Sequence, residues 1–147
     1  MKSQTQRKPV RSASPARAGC ETILVADDYS CLRDVAAAIL ERCGYRVLTA
    51  GCGIHAREVA RKHPEIELLL TDLEMPRMGG EELALWFRAN RPGVEIVAMS
   101  ADSRRLRTLD GCWQIEKPFV QIDTFIKTIR DAFEHRHLAL QNTRKAA

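Results

Sequence analysis

The sequence predicts an α/β fold built on one open parallel sheet with helices on both faces. Three observations carry this expectation. Short apolar runs alternate with segments of helical period, giving five βα units in order between positions 21 and 136. One run, Ile66–Asp72, is apolar almost throughout, the pattern of a strand covered on both faces. Four runs, ILVADD, ELLLTD, EIVAMS and QIEK, end in Asp27-Asp28, Asp72, Ser100 and Lys117. The carboxyl ends of parallel strands converge on one crevice, so these residues would meet there.

The elements follow in order. Residues 22–27 (TILVAD) read as a first buried strand. Leu32, Val35, Ala36, Ile39, Leu40 and Cys43 then recur at helical spacing, with Ser30 as N-cap and Gly44 as a stop. Residues 45–49 form a second strand, and residues 54–62 a short helix closed before Pro64. After the third strand, Pro76, Gly79 and Gly80 mark a loop. Residues 81–90 form a helix with Leu83, Trp86 and Phe87 inward, and Glu81 and Glu82 suit its positive end. Residues 94–100 are a fourth strand and residues 104–110 a short, basic helix. Trp113–Glu116 is the least apolar strand and belongs at an edge. Ile122, Phe125, Ile126, Ile129 and Phe133 define a last helix.

The chain of 147 residues holds one domain, residues 21–136, and two tails. Residues 1–20 are rich in Ser, Ala, Pro and Arg, with Val10 as the one sizeable aliphatic; they read as a disordered basic tail. Residues 137–147 end in QNTRKAA and should fray. The net charge of +4 sits in these ends: +5 in residues 1–20 and +2 in residues 137–147, leaving −3 between them. That distribution argues against a nucleic-acid binder, as does the lack of aromatics among the tail arginines. No apolar run approaches the ~20 residues of a membrane helix, and no secretory leader is evident, so a cytoplasmic location is expected. The five cysteines (Cys20, Cys31, Cys43, Cys52, Cys112) form no C-x-x-C pair and read as free thiols, Cys31 and Cys43 as helix packing residues.

Each residue at a strand end has an ordinary reading beside a chemical one. Asp27 and Asp28 could begin a turn, or hold a divalent cation, one directly and one through water. Asp72 could cap a turn. Ending a buried strand, it would instead project beside Asp28, where three acids repel one another and a cation relieves the repulsion. Asp72 is then a nucleophile able to form an aspartyl phosphate. Ser100 alone is a loop hydroxyl. Lys117 alone is a surface charge, but it precedes Pro118, and a cis Lys-Pro bond would aim its ammonium inward.

Taken jointly, ILVADD, LLLTDLEMPRMGG, VAMSA and KPF resemble the receiver domain of two-component response regulators, over residues 21–136. The resemblance implies a flavodoxin-like fold with strand order 2-1-3-4-5. It implies that Asp72 is the phosphoacceptor, and that Asp27, Asp28, Asp72 and the Glu74 carbonyl bind Mg²⁺. Ser100 corresponds to the switch hydroxyl, Lys117 contacts a phosphoryl oxygen after which the bond to proline is cis, and the Ala101 N–H donates to the phosphate. It places Glu74 and Asp102 beside the phosphoryl group. The implied partners are a histidine kinase or histidine phosphotransfer protein and a downstream target, with homodimer formation left open.

The sequence also departs from the family. Sixteen residues separate Ser100 from Lys117, fewer than usual, so the fourth helix must be short or irregular. The place of the switch aromatic holds Gln114; Trp113 is adjacent, but neighbours on a strand face opposite sides. The reading is therefore a stand-alone phosphoacceptor rather than an enzyme, apart from self-catalysed transfer and dephosphorylation. A binding module that works without phosphate is the alternative. An Asp-nucleophile phosphatase would show D-x-D, which Asp72-Leu73-Glu74 does not fit.

Overall fold

A computed structural model describes residues 21–146. The expected tail 1–20 lies outside them. Five strands, β1 (Thr22–Ala26), β2 (Arg46–Ala50), β3 (Ile66–Asp72), β4 (Glu95–Ser100) and β5 (Trp113–Glu116), form one sheet in the order β2-β1-β3-β4-β5. All pairings are parallel, with Leu24 opposite Leu48 and Leu69, and Leu70 opposite Val97. Between and after them run α1 (Ser30–Arg42), α2 (Gly53–Lys62), α3 (Gly80–Asn90), α4 (Ser103–Arg107) and α5 (Ile122–Lys145). The fold class and strand order are those expected.

The two-residue period of the strands divides the core. Ile23, Val25, Leu68, Leu70, Val97 and Met99 face α1 and α5, against Leu40, Phe125, Ile129 and Phe133. Leu24, Ala26, Leu69 and Ile96 face α2 and α3, against Ala56, Leu83 and Phe87. Because β1, β3 and β4 are covered on both sides, every residue from Leu68 to Asp72 is buried. That double burial fixes the register, since a one-residue slip would exchange the two faces. A smaller cluster of Leu73, Ala98, Leu106 and Leu109 lies under α4.

Several local expectations are corrected. Tyr29, not Ser30, is the N-cap of α1; Ser30 is its first helical residue, and no side chain caps the helix. Val35 and Cys31 face solvent, so the apolar stripe of α1 narrows to Ala36 and Leu40, flanked by Ile39. The helix α5 does not fray after position 136 but runs to Lys145. No Gly or Pro interrupts that stretch, and Leu, Ala, Gln, Arg and Lys are good helix formers. Gly44 does end α1, at φ 94°, a backbone region that glycine reaches without cost.

Candidate functional site

Asp27 follows β1 directly and is 1% exposed. Its Oδ1 accepts the Tyr29 backbone N–H at 2.9 Å, and its Oδ2 accepts the Lys117 ammonium at 2.7 Å. The Arg33 guanidinium, one turn into α1, donates to the Asp27 carbonyl at 2.8 Å. These contacts fix both the main chain and the carboxylate of Asp27.

Asp72 ends β3, buried, with the Lys117 ammonium 3.4 Å from its Oδ1. Burial pushes its carboxyl above the usual aspartate range, and the Asp27 charge adds to the push; Lys117 and the Glu74 backbone N–H oppose it. Asp28 is exposed at the mouth. Asp27, Asp28 and Asp72 each offer an oxygen within 4.8 Å of the others. One ammonium therefore serves a cluster of three acids. Hard oxygen donors in that density, with one carboxyl already driven toward its neutral form, fit a divalent cation that would supply the missing positive charge.

The sheet brings the other expected residues to the same end. Ser100 is fully buried at the end of β4; its carbonyl accepts the Lys117 N–H at 2.9 Å, and its Oγ accepts the Asp102 N–H at 3.0 Å. Ala101 follows it, exposed. The Lys117–Pro118 bond is cis, as expected. The loop after Asp72 turns tightly: a Cβ at Gly80 would collide with the Asp72 carbonyl. Glu74 stands on that loop with an exposed side chain whose carboxylate lies 3.3 Å from Arg105 on α4.

Gln114 and Trp113 face opposite sides of β5. Trp113 packs against the α5-side core and donates to Glu95 at 3.3 Å. Gln114 Nε2 donates to the Leu106 carbonyl at 2.6 Å, so a side-chain amide holds α4 at the place where the resemblance implied an aromatic ring.

The roles of Tyr29, Arg33 and Arg105 near the acids were not expected. Arg33 sits one helical turn beyond the acidic pair, a spacing that could have pointed to it. Nothing in the sequence marks Arg105 apart from Arg104 and Arg107.

The model of the response regulator receiver domain matches residues 23–130 of this chain. The chain belongs to that family. It is thus a receiver domain, homologous to the phosphoacceptors of two-component systems. It is similar to the polar-differentiation response regulator DivK of Brucella ovis, 26% identical over 118 residues that cover 75% of this chain and 94% of that protein. Among solved structures it is similar to a CheY-like receiver domain from Methanospirillum hungatei, at 26% identity and a TM-score of 0.71, covering 82% of this chain and 99% of that one. A two-component transcriptional regulator of Clostridium phytofermentans is also similar, at 28% identity and a TM-score of 0.71, covering 84% and 98%. Among the described residues no helix is long and apolar enough to cross a membrane.

Proposed function

We propose that this receiver takes a phosphoryl group onto Asp72 from a phosphohistidine of a histidine kinase or a histidine phosphotransfer protein. The observation that carries the reading is the Asp27–Asp28–Asp72 cluster around a single ammonium. A carboxylate oxygen of Asp72 attacks phosphorus; the phosphorus–nitrogen bond breaks, and the imidazole leaves with its electron pair. Lys117, already anchored by Asp27, orients toward the incoming oxygens and offsets their charge. Asp27, Asp28, Asp72 and the Glu74 carbonyl would hold Mg²⁺, which when bound offsets further charge on the transferring group. The Ala101 N–H and the Ser100 hydroxyl would donate to the phosphoryl oxygens. Water later cleaves the acyl phosphate, so the protein is a self-dephosphorylating acceptor rather than an enzyme with turnover. It acts in the cytoplasm through a downstream protein that reads its state.

A second reading, partner binding without phosphate, draws support from the Gln114–Leu106 bond, which holds α4 without an aromatic switch. One experiment separates the two. Incubation with acetyl phosphate and Mg²⁺ should add one phosphoryl group to the intact mass, and nothing when Mg²⁺ is chelated. No mass gain under saturating donor would favour the phosphate-independent reading.

A further inference from the structure

Arg105 is the one residue of α4 that reaches two acids on other elements. Its Nη1 lies 3.3 Å from Glu74 Oε1; its Nη2 and Nε donate to Glu81 Oε1 at 2.6 and 3.2 Å. The side chain can span both because its backbone is held. Leu106 is buried against Leu73 and Ala98, the Leu106 carbonyl accepts from Gln114, and Asp102 caps the Arg104 N–H at 2.9 Å. The loop it grips is held as firmly: Leu73 packs under α4, and the Gly80 N–H bonds the Leu73 carbonyl at 3.1 Å.

Glu74 lies two residues beyond Asp72, and its backbone N–H is among the groups that oppose the rise of the Asp72 carboxyl. Its side chain therefore departs from the rim of the acid cluster. Directed inward, it would add a fourth negative charge where an anionic donor must approach. Directed at Arg105, it is neutralised and drawn toward α4.

We propose that Arg105 is a positioning residue for phosphoryl uptake: by pairing with Glu74 it keeps an unpaired carboxylate off the mouth of the Asp27–Asp28–Asp72 site. The inference rests on the phosphoacceptor reading and adds a residue that acts through another rather than touching the phosphoryl group. The planar fork of arginine is required, because one terminal nitrogen serves Glu74 while the other and Nε serve Glu81.

The test is the initial rate of phosphorylation by acetyl phosphate at saturating Mg²⁺ and low salt, followed by intact mass. Arg105→Gln should slow uptake about three- to tenfold, the scale of one extra like charge several ångströms away in a wet site. High salt should narrow the gap. In a Glu74→Gln background, Arg105→Gln should slow uptake no further. Glu81→Gln, which loosens α4 but leaves the Glu74 pair, should stay within about twofold of wild type, an effect too small for a displaced charge at that range. Arg105→Lys, which keeps the charge and loses the fork, should fall between wild type and Arg105→Gln, and circular dichroism confirms that each variant is folded.

Wild-type rates in Arg105→Gln would overturn the inference. So would equal slowing with and without Glu74, or slowing by Glu81→Gln as large as by Arg105→Gln; either would assign the effect to docking of α4. A wild type that takes up no phosphoryl group would defeat the phosphoacceptor reading and this inference with it. Uptake by wild type with no effect of Arg105→Gln defeats this inference alone.

Discussion

The Lys117 ammonium donates to Asp27 Oδ2 at 2.7 Å, joining the chain just beyond β5 to the chain just beyond β1. Both partners are shielded, Asp27 at 1% and Lys117 at 11% side-chain exposure. Removing one member of such a pair leaves a buried charge without its counter-ion, which costs about 3 kcal/mol or more. Lys117→Ala should accordingly lower the urea midpoint measured with chelator present. Added Mg²⁺ should restore part of the loss, because a cation can take the place of the ammonium beside Asp27. An unchanged midpoint in chelator would show that the pair contributes nothing to folding.

Asp28 is the exposed acid of the cluster, so its removal should affect the cation more than the fold. Mg²⁺ that binds only the native protein raises its melting temperature in proportion to occupancy. Wild type should therefore shift upward on titration with Mg²⁺. Asp28→Ala should need a markedly higher concentration for the same shift, while melting near wild type in chelator. Superimposable titrations for the two proteins would remove Asp28 from the metal site.

A third buried acid gives a pH dependence remote from the site. Glu21, just before β1, has its carboxyl raised by burial and by the Glu67 charge, with His137 and Arg136 on α5 opposing. A carboxyl whose folded value lies above its unfolded value contributes stability that is complete below the ordinary glutamate range. That contribution is lost as pH rises through the folded value. Glu21→Gln should be more stable than wild type at neutral pH, and the advantage should vanish as pH falls below the ordinary glutamate range. Denaturant melts at several pH values measure this; an advantage that grows in acid would reverse the sign and refute it.

The segment between Ser100 and β5 should be the part that responds to the phosphoryl group. Ser100 Oγ bonds the Asp102 N–H, Asp102 caps α4, and Gln114 holds the Leu106 carbonyl. A hydroxyl drawn toward a phosphoryl oxygen gives up the Asp102 N–H and loosens that chain of contacts. Hydrogen exchange with beryllofluoride and Mg²⁺ should change across residues 100–112, with no buried-to-exposed movement of Trp113. Exchange unaltered there while the mimic is bound would exclude α4 as the responding element and strengthen the phosphate-independent reading.

What was legible in the sequence depended on range. Ile66–Asp72 is found at its expected bounds because burial of all but Glu67 leaves a mostly apolar run. The shortened α4 followed from the sixteen residues between Ser100 and Lys117, which leave little chain after a strand return. The site acids were legible because each ends a strand, and a parallel sheet must gather strand ends. Less legible was what a local pattern does not encode. Val35 fits the helical period of α1 yet faces solvent. The helix past position 136 lacks a core-facing stripe, and composition alone made it look frayed. Arg105 reaches from α4 to Glu74 and Glu81, more than twenty positions earlier, a meeting that no spacing in the sequence records.

The central claim is that Asp72 itself carries the phosphoryl group. After reaction with acetyl phosphate and Mg²⁺, borohydride reduction converts an aspartyl phosphate to homoserine, and peptide mass spectrometry locates the converted residue. Conversion should fall at position 72 alone and be absent in Asp72→Asn. Conversion at Asp27, Asp28 or any other acid, or undiminished acid-stable labelling of Asp72→Asn, would contradict the account.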